Sequence, residues 1–138
     1  MSSAVPHSPV TVALWIAGLV QLTIAVANFV VPSILKYREN LARVAPIIRQ
    51  VFIVHAGYIV AVIVLFAAIT LGFPAELSSG RGLGRLLAAA LALFWLGRIP
   101  LQLFYYDPTV RRAHRSGDVA MTAALVFLAA TYAWAALR

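Results

Sequence analysis

The chain has 138 residues, 63% of them hydrophobic and only 11% charged, against about a quarter charged in a soluble domain. Its apolar residues are gathered into long runs, which excludes an ordinary water-soluble domain and makes lipid the solvent. The net charge of +7 is carried by short segments between those runs, so nucleic acid is not an expected partner, and the absence of cysteine excludes disulfides and thiolate chemistry.

The first ten residues, MSSAVPHSPV, lack the basic start of a cleavable leader, and the apolar run behind them is too long for a leader core. The first span is therefore expected to be retained. It is predicted over about 10–31, with Pro32 as its stop because proline has no N–H to continue the ladder. The basic stretch Ser33 to Ala45 carries Ile34, Leu41 and Ala45 near helical spacing. It reads as a short interfacial helix, with a solvated loop as the alternative.

Pro46 opens a second span reaching about Gly72, since a first-turn proline gives up no hydrogen bond. Phe73 to Gly84, with Pro74 and three glycines, reads as a flexible turn. A third span follows over about 83–105, and Pro100 is expected to kink it. Asp107-Pro108 has the form of a helix cap and first-turn proline. The fourth span is expected over about 118–137, with Asp118 placed to cap its positive end. The fold class predicted is an all-α integral membrane protein, with four transmembrane helices in an up-down bundle forming one domain over 1–138.

Basic residues orient the chain. Lys36, Arg38, Arg43, Arg49, Arg111, Arg112 and Arg115 flank one side, and Arg81, Arg85 and Arg138 the other. The excess places the first and third loops in the cytoplasm and both termini outside, in what is expected to be a bacterial cytoplasmic membrane.

Function must be sought in the polar residues that lipid cannot satisfy: Gln21, Asn28, His55, Tyr58, Arg98, Gln102 and Thr122. At about 1.5 Å of rise per residue, each lies in the cytoplasmic half when measured from its own span end. Gln21 and Asn28 share a face, as do His55 with Tyr58, Arg98 with Gln102, and Asp118 with Thr122. One polar pocket opening to the cytoplasm is the expectation. Arg98 is the costliest member and needs an anion. Two readings stand: a structural ion pair with Asp118, or an anchor for an anionic headgroup, carboxylate or polarised carbonyl of a ligand, with Gln102, Gln21 and Asn28 as further ligand-binding groups. His55 and Tyr58 are candidate acid–base groups, although a histidine satisfied by its neighbours is the plainer reading.

No cofactor is expected; haem and metal ligation would need a second ligand at the depth of His55, which the sequence does not supply. No nucleotide loop, zinc motif or serine-nucleophile elbow is present. The leading functional reading is a non-catalytic subunit or scaffold of a membrane complex, with the bilayer and a protein partner or second copy as its contacts. The alternatives are a lipid-, quinone- or isoprenoid-binding protein or enzyme, and an oligomeric transporter.

Overall fold

A computed structural model describes residues 8–138. The leader reading turns on residues 1–7, which lie outside the described residues. Four long helices carry the fold: α1 (Pro9–Ile34), α3 (Pro46–Gly72), α5 (Gly82–Pro100) and α7 (Arg115–Leu137). Between them lie the short helices α2 (Tyr37–Leu41), α4 (Pro74–Leu77) and α6 (Pro108–Ala113). No strand occurs among the described residues. All four long helices, α5 being counted with the turn that continues it to Tyr105, are long and apolar enough to cross a membrane. The chain is thus an all-α four-helix membrane bundle.

Local chemistry explains most element ends. Ser8 caps α1 by accepting the Thr11 N–H at 3.3 Å, and Asp107 caps α6 by accepting the Thr109 N–H at 2.7 Å. Proline occupies a first-turn position in α1, α3, α4 and α6.

Three sequence expectations, on Pro32, Phe73–Gly84 and Asp118, are corrected, and the stretch after Pro100 is described more finely. Pro32 does not stop α1, which runs on to Ile34. So close to a helix end the proline removes one ladder bond, and the Leu35 N–H still reaches the Val31 carbonyl at 2.9 Å. The Phe73–Gly84 turn contains α4. Pro100 is followed by a π-helical turn (Leu101–Tyr105), closed by the Tyr106 N–H on the Leu101 carbonyl at 3.4 Å. Asp118 does not cap α7; His114 stands at that position, and Asp118 lies inside the first turn.

The helices are unequally covered. Among the apolar stretches, 39% of the residues are buried in α1 and α7, against 17% in α5 and 11% in α3. Helices α1 and α7 therefore form the centre, with α3 packed on α1 and α5 on α7. The core rows are Leu14, Ala17, Gly18, Gln21, Ile24 and Ala25 on α1, and Leu125, Leu128, Ala129, Tyr132, Ala135 and Ala136 on α7. Both repeat at three and four residues, and their small members let the backbones approach closely.

Helix α3 is shifted along α1. Gly18 sits against Leu71, so in an antiparallel pair the end of α1 falls level with about His55. The stretch from Pro46 to Val54 extends past it. There α2 lies alongside, with Tyr37 edge-on to Phe52 at 5.3 Å.

Candidate functional site

The polar side chains divide among three places. At the end where α5 and α7 join through α6, Asp118 is the hub. Arg111 approaches it with both prongs, Nε donating to Oδ1 and Nη2 to Oδ2, each at 2.9 Å. The buried Gln102 donates a third bond to Oδ1 at 2.7 Å, and Arg111 Nη1 also reaches the Leu103 carbonyl at 2.6 Å. Two charge-assisted prongs on one carboxylate hold the guanidinium in a fixed plane, and the Asp118 contact raises the Arg111 pKa further. Thr122 bonds back to the Asp118 carbonyl at 2.9 Å, within its own helix.

The expected ion pair between Arg98 and Asp118 is not formed. Arg98 Nη1 donates instead to the Tyr106 hydroxyl at 3.1 Å, from a partly buried position. The reason is competition for one acceptor. Arg111, seven residues before Asp118, takes both of its carboxylate oxygens and Gln102 adds a further bond, which leaves Arg98 to the Tyr106 hydroxyl. The bond to Tyr106 draws Arg98 toward the same end of the bundle, as intramembrane arginines commonly extend.

The second place is the bundle centre, and sequence reasoning missed two of its members. The buried Gln21 donates from Nε2 to the Tyr132 hydroxyl. Tyr132 and Thr70 are in contact at 2.6 Å, and Thr70 donates to the Phe66 carbonyl at 2.7 Å. A hydroxyl has one hydrogen, so the chain has a single direction: Gln21 to Tyr132, Tyr132 to Thr70, Thr70 to Phe66. This polar run joins α1, α7 and α3. An aromatic run continues it to α5, with Phe66 edge-on to Phe94 at 5.0 Å and Phe94 edge-on to Trp95 at 5.1 Å. Gln21 Oε1 and Trp95 Nε1 are buried in this core without a hydrogen-bond partner among the described residues.

The two centres are well separated. Asp118 and Tyr132 are fourteen residues apart on α7, about 21 Å along its axis. Gln21 and Gln102 therefore belong to different sites. Asn28 joins neither; its amide donates to the Ile24 carbonyl at 2.7 Å, one turn back on α1.

The third place is the outer side of α3. His55 is exposed, with Nδ1 at 2.8 Å from the Val51 carbonyl. A carbonyl only accepts, so Nδ1 carries a hydrogen, and in the neutral ring Nε2 is left as an outward acceptor. Tyr58, one turn on, is 71% exposed. Val51, Val54, Tyr58, Ala61, Leu65 and Ala68 recur at alternating three- and four-residue steps, and all six are exposed. That is the spacing of a helix-pairing seam.

Comparison with protein families, with characterised proteins and with solved structures finds no match.

The Tyr132 and Thr70 centre did leave a trace in the sequence. Gln21 and Tyr132 each stand in a row of large and small apolar residues at helical spacing, where a polar side chain has to find a partner on the facing helix. The pairing of Arg111 with Asp118 left only their seven-residue separation.

Proposed function

We propose that this protein is a non-catalytic subunit of a membrane complex and that α3 is its docking helix. One observation carries the reading: α3 is the most apolar span and the least covered, yet its open side bears a heptad-spaced seam. Apolar spacing alone would serve equally well against lipid. Tyr58 on that seam, one turn from the outward ring of His55, breaks the tie in favour of protein, because a partner helix can offer both groups hydrogen bonds. The Asp118 and Tyr132 centres then act as interior ties that hold the bundle rigid behind the docking helix.

The topology that goes with this function has both chain termini on the outer side of a bacterial cytoplasmic membrane and α2 and α6 on its cytoplasmic side. The seven-to-three distribution of basic residues supports it. Ser8 and Arg138 are joined at 3.5 Å, so α1 begins on the side where α7 finishes. Reporter fusions at Ser79 and Ser116 test the orientation; an extracytoplasmic signal at Ser116 reverses it.

The test of the function is the mass of the solubilised protein. A 14.9 kDa chain extracted in a mild detergent is expected in a larger assembly. Ala61→Trp, which sets a bulky ring on the exposed seam, should release it as a helical monomer. A wild-type chain that is monomeric under the mildest extraction, or an assembly indifferent to Ala61→Trp, contradicts the reading.

A further inference from the structure

On the side of the molecule away from α3, a trough of about 520 Å³ runs along the contact between α5 and α7. Every residue lining it is apolar: Leu93 stands on one side, Val126 and Leu137 on the other, and the nearly buried Ala129 lies between. From Val126 to Leu137 the trough extends over eleven residues of α7, about 16 Å. Its form suits a single flexible chain.

The charge at one end says which chain. Arg85 is one turn before the lining residue Ala89 on the same face of α5, and Arg81 is the extended residue that leads into the helix, its carbonyl accepting the Arg85 N–H at 3.1 Å. Both arginines are exposed, and neither guanidinium has a side-chain partner among the described residues. Arg138 adds a third cation at this end, bonded to Ser8. The acidic side chain at this end is Glu76. An apolar trough of this length, headed by two exposed guanidiniums, matches an amphiphile with a phosphate at its head.

We propose that this trough seats an acyl chain of an anionic phospholipid, whose phosphate is held by Arg81 and Arg85. The site lies apart from the α3 seam and does not depend on it.

The experiment uses the full chain, delipidated in detergent and titrated with phosphatidylglycerol, phosphatidylcholine or inorganic phosphate, with bound lipid counted by native mass spectrometry. Phosphatidylglycerol should be retained in preference to phosphatidylcholine. Arg81→Gln with Arg85→Gln should weaken its binding on the order of tenfold, to the level of the neutral lipid. Ala130→Leu, placed on the exposed rim of the trough, should displace both lipids while leaving helix content unchanged. Equal retention of the two lipids would overturn the proposal. So would a preference that survives the double arginine change, unchanged binding in Ala130→Leu, or inorganic phosphate retained as well as phosphatidylglycerol. A second protein chain held in the trough in place of lipid would overturn it as well.

Discussion

Arg111 and Asp118, seven residues apart in sequence, form a two-pronged ion pair with both contacts at 2.9 Å, and Gln102 completes the coordination of the carboxylate. The pair closes α6 against the first turn of α7. Arg111→Gln should therefore lower the melting temperature, and Asp118→Asn on top of it should add little. Arg98→Gln should combine additively with Asp118→Asn, because Arg98 bonds Tyr106 instead. Coupling between Arg98 and Asp118 in such a cycle would show that the ion pair is wrongly assigned.

The buried chain from Gln21 through Tyr132 to Thr70 gives a second expectation. Tyr132→Phe removes its middle and leaves the Gln21 amide without an acceptor, at a cost of about 1–2 kcal/mol. Gln21→Leu in that background should recover part of the loss, since replacing both partners leaves no stranded donor. Unfolding in mixed micelles followed by circular dichroism reads both. Losses that simply add would mean that the two side chains are not coupled.

Gly84 is a third point of test. A Cβ there would run into the backbone carbonyl of Glu76, which cannot turn aside as a side chain would. Gly84→Ala should cost about 1–3 kcal/mol. Gly97→Ala, where nothing lies within 4 Å, should cost nothing. Equal melting temperatures for the two variants would refute the close packing of α4 on α5.

The cap of α6 has a pH signature. The Thr109 N–H bonded to Asp107 holds that carboxyl below its ordinary value of 3.8. A depressed folded-state pKa stabilises the cap above the unfolded value, and the contribution is lost as pH falls through the folded one. The Thr109 amide resonance should accordingly titrate with a midpoint below 3.8, and Asp107→Asn should abolish the titration. A midpoint at or above 3.8 would remove the cap.

Much of the fold was legible because the residues that define it act locally. Pro46 and Asp107-Pro108 mark helix starts by their own chemistry, and the apolar runs are as long as a bilayer is thick. The polar centres depend on how the helices are set along one another, which no single segment encodes. Measuring each residue from its own span end assumed that the spans are flush, whereas α3 is offset so that His55 lies level with the end of α1. Gln21 was for the same reason grouped with Gln102, although its partners Thr70 and Tyr132 stand near the opposite ends of their helices. Arg98 is the natural partner of Asp118 by depth, but Arg111 takes both oxygens of the same carboxylate from the preceding short helix.

The central claim, that the open side of α3 faces protein, is tested most directly by cross-linking in native membranes. The chain has no cysteine, so single cysteines at Tyr58, Ala61 and Leu65 can each carry a thiol-linked photoreactive probe, with Leu86 on α5 as an exposed control. The expected result is protein adducts of one defined mass from the three α3 positions and lipid adducts alone from Leu86. Lipid adducts alone from all four positions would contradict a docking role for α3.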